Sequence, residues 1–455
     1  MTTVPRDPFD YRWETQPDAA ALVHDLLTRF RDASPWIQGL GQRLRDETGT
    51  RLVDWVDHFS FPLDEMLSHN LHVAGFRPLE TNASVHWRHG GGLFPEVYVG
   101  AAGRPRLFLK VESVADFLFA HRMAKQPIQG APLAAVRRSL ISAADDVECW
   151  VIERHGAPAT SDDVISAEAA QAVLHHAEAF RRRERSFDRP EEGFADARRL
   201  IAAAQADLGV PRTCDLFFAA ERAYWQSRNR AARVQKQRQD ALGLGWGNHD
   251  HHTYRSSRES FADLIAVLEL LGCHCRERFY AGQSAGWGAQ VLEQPDCGVV
   301  IFADVDLADE EVAGDFAHQG LPPRQEFGTV GLWCRLHGEA ILEAGLHHLE
   351  CQFDFDAARD QLRAEGVETM KPFTDLPHLR QAFTRGEMWP VSSQRIDVLL
   401  ADGLITKEQA EIFRAHGAIG SHLEILQRDE GYKGFNQSGI DEIILDTDPR
   451  KTAAL

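Results

Sequence analysis

Between residues 249 and 305 the apolar positions change period twice. Residues 249–255 form a short, β-compatible run, after which Phe261, Leu264, Ile265, Leu268 and Leu271 recur at i, i+3, i+4, i+7 and i+10, the stripe of an amphipathic helix. Gly272 ends that helix, and three strands are predicted at 273–280, 287–292 and 299–305, with turns at Ala281-Gly282 and Pro295-Asp296. The order is βαβββ. An approximate second copy starts at Gly345 with a strand through His347 and His348, then a helix over 356–365 that stops at Gly366 and a strand over 367–373. An insertion of about 374–420 follows, with helices near 393–400 and 407–416, before an alternating strand at 422–427. Repetition at this spacing predicts duplicated units sharing one core. Residues 337–350 also admit a helical drawing, which would turn His347 and His348 away from any strand site.

Upstream, helices are predicted over 18–31 and 168–186, a strand over 106–111 and a helix over 114–121. One long helix is drawn from 215 to 242, stopped by three glycines in five residues, Gly243, Gly245 and Gly247. The expected fold is therefore α+β. An N-terminal mixed α/β domain of unassigned role covers 1–242, and paired βαβββ modules cover 243–455.

The length of 455 residues and an ordinary charged fraction of 26% suit two or three globular cores. A formal net charge of -19 argues against nucleic acid as a partner. The local basic run Arg181-Arg182-Arg183-Glu184-Arg185 reads as a solvated helix face. The N-terminal residues lack a signal-peptide pattern, and no window approaches the ~20 apolar residues of a membrane span, so a cytoplasmic location and no membrane partner are expected. Seven cysteines without a CxxC motif fit reduced thiols. A homo-oligomer is compatible with this composition.

The chemistry concentrates on the strands. Glu424 sits between Leu423 and Ile425, and burying such a carboxylate is costly unless it is paired or coordinated. Each βαβββ-like unit also opens on a histidine-bearing strand. Two imidazoles and one carboxylate can bind Fe(II) on one face and leave neighbouring positions open. Alternation places His249 and His251 on one face and His252 on the other, and likewise divides His347 from His348. Pattern alone does not choose among them.

Asp250-His251, Gly345-Leu346-His347-His348-Leu349 and Leu423-Glu424-Ile425-Leu426-Gln427-Arg428 resemble, in order and character, the three ligand strands of the 4-hydroxyphenylpyruvate dioxygenase family of the vicinal-oxygen-chelate superfamily. The resemblance covers roughly residues 245–445. It implies His251, His348 and Glu424 as ligands of Fe(2+), with Phe435 of Gly434-Phe435-Asn436 as a pocket wall. It further implies oxidative decarboxylation and hydroxylation of a small-molecule 2-oxo acid with O2. A more distant resemblance, carried by Arg88-His89-Gly90, Asp250-His251-His252-Thr253-Tyr254-Arg255 and Pro390-Val391-Ser392-Ser393, is to the 2-oxoadipate dioxygenase/decarboxylase family. In that scheme His89 would replace His348. Ser392, Ser393 and Arg395 are expected contacts for a substrate carboxylate or hydroxyl, with a helix N-cap as the structural reading of either serine. The alternative activity is that of a metal-dependent isomerase or lyase, glyoxalase-like, on the same scaffold. That reading calls for a further glutamate ligand, for which no convincing candidate stands out.

Overall fold

The computed structural model describes residues 13–79, 84–144, 146–161, 164–324, 326–374, 376–436 and 447–450. Its strands are β1 (Val56–Phe61), β2 (Phe76–Leu79), β3 (Val85–His89), β4 (Glu96–Val99), β5 (Arg106–Lys110), β6 (Val136–Ala143) and β7 (Glu148–Arg154), then β8 (His249–Arg255), β9 (His274–Tyr280), β10 (Trp287–Gln294) and β11 (Val299–Asp306), and finally β12 (His348–Gln352), β13 (Leu379–Phe383), β14 (Glu387–Trp389) and β15 (Ala418–Arg428). The first seven make one sheet, ordered β2-β3-β4-β1-β5-β7-β6. The remaining eight make another, ordered β13-β15-β12-β8-β11-β10-β9, with β14 on β15.

The second sheet is the expected pair of modules. In the first module β8 leads into the helix Phe261–Leu270, whose Phe261, Leu264, Ile265 and Leu268 are fully buried, and the chain returns through β9, β10 and β11. The module closes by parallel pairing of β11 with β8. In the second, β12 leads into Phe355–Ala364, and β15 closes in parallel on β12. Antiparallel pairing of β8 with β12 joins the two modules. The expected strand at 367–373 is absent. Its place in the pattern is marked by a single bridge, Thr369 to Thr384, and β13 pairs with β15 instead. The helical drawing of 337–350 also fails, because the helix Thr329–His337 ends at Gly338 with φ +97° and the chain enters β12 extended.

The first sheet repeats this plan, which its sequence did not reveal. β1, the helix Glu65–Val73, β2, β3 and β4 form a βαβββ unit closed by β4 running parallel to β1. β5, Val114–Ala120, β6 and β7 form a shorter βαββ unit closed in parallel by β7 on β5, and β1 meets β5 antiparallel.

The long helix expected over 215–242 is two helices, Val210–Ser227 and Arg230–Ala241. Asn229 makes the break: its Oδ1 accepts from Ala232 N at 2.8 Å, capping the second helix, while its Nδ2 donates to Ser421 Oγ at 3.0 Å. The basic run is likewise only partly solvated. Arg183 and Arg185 donate to the buried Glu221 Oε1 at 2.8 and 2.6 Å, and both also reach the Ile341 carbonyl. Ile341 holds φ +58°, a left-handed conformation costly for a β-branched residue, on the approach to β12. The two guanidiniums on one carboxylate therefore latch the segment that delivers His347 and His348.

Removing that carboxylate leaves two buried cations unpaired. Glu221→Gln is expected to lower unfolding stability by about 3 kcal/mol in urea titrations, whereas Arg182→Gln on the exposed side of the same run stays within about 0.5 kcal/mol. Equal effects for the two variants would remove the latch.

Candidate metal centre

Register places the candidate ligands. Glu350 on β12 lies opposite His251 on β8 and beside Glu424 on β15, so the three occupy one row across three adjacent strands. The next row is Thr253, His348 and His422. His348 and Glu350, two apart on β12, share its face, as do His422 and Glu424 on β15. All six side chains line one small internal cavity of about 80 Å³, whose walls include Phe279, Trp287, Phe302, Phe373, Phe383 and Phe435.

The donor atoms converge. His251 Nε2 is 2.7 Å and His348 Nε2 2.6 Å from the same Glu350 Oε1, and His348 Nε2 is 3.6 Å from Glu424 Oε2. Donor atoms of His251, Glu350 and Glu424 lie within 4.8 Å of one another, as do those of His347, His348 and His422. Each inner side chain is oriented from behind. Asp250 Oδ1 lies 2.9 Å from His251 Nδ1, and Arg428 grips Asp250 through Nε at 3.0 Å and Nη2 at 3.1 Å. Gln381 Nε2 donates to Glu424 Oε1 at 2.7 Å. Arg428 Nη1 also donates to the Gly434 carbonyl at 2.6 Å, which fixes the segment carrying Phe435.

The electrostatics of this cavity call for a cation. Among the described residues neither Glu350 nor Glu424 has a Lys or Arg ion-pair partner. Burial and the neighbouring Glu424 push Glu350 well above the usual carboxyl range, and burial pushes Glu424 up to about 7. Burial also holds His251 down to about 4 and His348 well below its ordinary value, which favours neutral imidazoles that each turn Nε2 to Glu350 Oε1. Glu350 Oε2, His347 Nε2 and both ring nitrogens of His422 find no hydrogen-bond partner among the described residues. Such orphaned buried atoms are uncommon. Imidazole and carboxylate donors at these separations suit a divalent transition metal, so the residues fit the ion that the family resemblance implies.

The structure thus brings His251, His348, Glu424 and Phe435 together, and it adds Glu350. Its signal was in the sequence, since Leu349-Glu350-Cys351 is an acid between apolar residues, as Leu423-Glu424-Ile425 is. Of the residues of the distant resemblance, those of the fragment 250–255 lie on β8, which lines the cavity, while His89, Ser392, Ser393 and Arg395 stay apart from it. His89 packs against Phe76 and Phe94 at ring distances of 5.2 and 5.1 Å and does not line the cavity. Ser392 is the N-cap of the helix Ser393–Ala401, accepting from Arg395 N, and Ser393 is exposed. Arg395 pairs with Glu343 at 2.8 Å and bonds main-chain carbonyls, so none of the three reaches the site. His249, expected on the face of His251, lies on the other side. An irregularity in the β8–β12 register sets Cys351 opposite His249 immediately after Glu350 opposite His251, and the His249 ring packs 5.3 Å from that of His252.

Arg255 is the cavity's unexpected cation. It is 4% exposed, its Nε and Nη1 have no hydrogen-bond partner among the described residues, and its nearest carboxylate oxygen, Asp304 Oδ2, is 4.0 Å away. Burial pushes Asp304 up to about 8.

No family model and no curated protein sequence matches the chain. Solved structures similar in part include a provisionally named hydrolase from Shewanella frigidimarina NCIMB 400, at 15% identity over 50% of this chain and 98% of that one, with a TM-score of 0.35. A provisionally named glyoxalase superfamily protein from Ralstonia eutropha JMP134 aligns at 13% identity over 58% of this chain and 97% of its own, with a TM-score of 0.33. A mutant 4-hydroxymandelate synthase from Streptomyces coelicolor aligns at 12% identity over 88% of this chain and 97% of its own, with a TM-score of 0.27. At these levels the chemistry of the site is read from its own side chains.

Proposed function

We propose that this chain is an Fe(II)-dependent dioxygenase that decarboxylates and hydroxylates a 2-oxo acid, with His251, His348 and Glu424 as the metal ligands. The observation that carries this reading is the convergence of His251 Nε2 and His348 Nε2 on Glu350 Oε1, beside Glu424, inside an aromatic-walled cavity. Bound there, ferrous iron supplies a chelation point for the keto acid and electrons for dioxygen. The chain's own residues hold and shield. Asp250 keeps the His251 Nδ1 proton and so presents Nε2, while Gln381 holds one oxygen of Glu424 and leaves the other to the ligand side. Phe302 and Phe435, edge to face with centroids 4.3 Å apart, form a wall that keeps water from the reacting atoms. Arg255 takes the place first given to Arg395, as a cation available to a second anionic group of the substrate.

Glu350 favours a second reading. Three protein ligands leave an octahedral ion room for a two-point chelate and dioxygen together, and four do not. With Glu350 coordinated, the same centre suits a Lewis-acid isomerase or lyase, where no oxygen is consumed.

Purified protein is expected to hold about one ferrous ion per chain by elemental analysis, and His251→Ala, His348→Ala and Glu424→Ala are each expected to lose most of it. His89→Ala and Ser392→Ala keep it. Full occupancy in the His251 and Glu424 variants would falsify the ligand assignment. Glu350→Gln decides between the readings: retained iron leaves a three-ligand face, and lost metal makes Glu350 a ligand.

Reaction class is read by gas exchange. Anaerobic addition of an aromatic or dicarboxylic 2-oxo acid to the ferrous protein is expected to produce a weak visible charge-transfer band, and admitting air should then consume O2 and release CO2 in equal amounts. Turnover without oxygen uptake hands the site to the isomerase or lyase.

A further inference from the structure

A second cavity, of about 480 Å³, lies on the far side of β8 from the metal centre, lined by Lys110 and Arg154 at the ends of β5 and β7, by Arg212 and Arg222 of the helix Val210–Ser227, and by His249. It has no side chain in common with the first cavity. Its charge runs against that of the molecule. The chain carries a net -19, yet the acids lining this cavity already have basic partners. Glu112 pairs with Lys236 at 3.2 Å, Glu153 with Arg137 at 2.8 Å, and Asp215 with His155 at 3.0 Å. Arg154 is likewise committed, to Asp57 at 2.7 Å.

What remains is a set of basic side chains with unfilled hydrogen-bonding capacity. Arg222 is 9% exposed; its Nη1 lies 3.3 Å from His252 Nε2, and its Nε has no partner among the described residues. Arg212 gives one nitrogen to the Leu133 carbonyl at 3.3 Å and keeps Nη1 without a hydrogen bond, 3.9 Å from Asp215. Lys110 makes no ion pair or side-chain hydrogen bond among the described residues, and His249 Nδ1 is also without a partner. Guanidiniums stay charged at any physiological pH, so this crowding of like charge is unfavourable unless an anion neutralises it. Burial first, and then Arg154, hold Lys110 below its ordinary value. A cavity of this volume is in the range that takes a small molecule.

We propose that Lys110, Arg212, Arg222 and His249 form a second ligand site, separate from the metal centre, for a compact, multiply charged oxyanion of the phosphate or polycarboxylate class. β8 connects the two sites, since the irregularity that turns His249 into this cavity directly precedes His251. The site does not depend on the identity of the metal or on the reaction.

Calorimetric titration of the full-length protein with inorganic phosphate, pyrophosphate and citrate, at ionic strength matched with sodium chloride, tests this directly. At least one of the three is expected to bind and to raise the melting temperature where chloride does not. Lys110→Gln and Arg212→Gln should each weaken that binding by about tenfold, the scale of one lost charge-assisted contact. Arg222→Gln serves as a third variant, and if it does not fold the other two decide. Preference for pyrophosphate over citrate assigns the phosphate class, and the reverse order assigns the polycarboxylate. Absence of binding by all three anions, or affinities unchanged in Lys110→Gln and Arg212→Gln, overturns the site.

Discussion

The ion pair between Asp250 and Arg428 is the interaction on which the candidate metal centre depends. Both side chains are almost fully buried, and the pair spans from β8 to β15 across the intervening β12. A buried pair adds little net stability over a well-packed apolar substitute, but breaking it leaves an uncompensated charge, so its value here is geometric. Asp250 fixes the tautomer and direction of His251, Gln352 of β12 donates to Asp250 at 3.0 Å, and Arg428 reaches on to the carbonyls of Tyr432 and Gly434. One guanidinium thus ties a candidate ligand, three strands and the Phe435 wall together.

Around that clamp the sheet supplies the rest by register. Parallel closure within each module and antiparallel pairing at the seam put one inward-facing residue from each of β8, β12 and β15 at the same level. The first sheet has the same seam but different chemistry. There His58 on β1 stacks on Phe108 of β5 at 4.1 Å and bonds Asp57, whose other oxygen is held by Arg154. His58 is thus held between a carboxylate and an aromatic ring, whereas Glu350 Oε2 and both ring nitrogens of His422 in the second sheet have no hydrogen-bond partner among the described residues.

Burial decides what the open centre can be. Two carboxyls brought together in an apolar cavity repel and cling to protons, and neutral imidazoles beside them offer lone pairs rather than charge. A divalent cation relieves both conditions. Arg255, at the far end of β8 from His251, gives the same cavity a cationic pole, and the aromatic side chains between them set its shape.

Local periodicity determined much of this from the chain alone. The strands near 273–280, 287–292 and 299–305, the helix under Phe261 and Leu268, and the insertion helices all stand within a few residues of where the pattern put them, because apolar positions recur along most of them and a glycine or proline stands near at least one end of each. Glu424 was legible for the same reason, as an acid between Leu423 and Ile425, whereas His251 and His348 were singled out among the neighbouring histidines only by the resemblance of the three strands to a known family. What only the tertiary structure decided is what depends on contacts distant in sequence. Asn229 breaks a helix that propensity would continue, because Ser421 holds its amide. Glu350 enters the centre because β12 pairs with both β8 and β15, a fact of register that residues 345–353 do not contain. Ser392 and Arg395 lie away from it because a cap and Glu343 claim them, and Arg255 lines it because strand alternation points it inward, where Nε and Nη1 have no hydrogen-bond partner among the described residues.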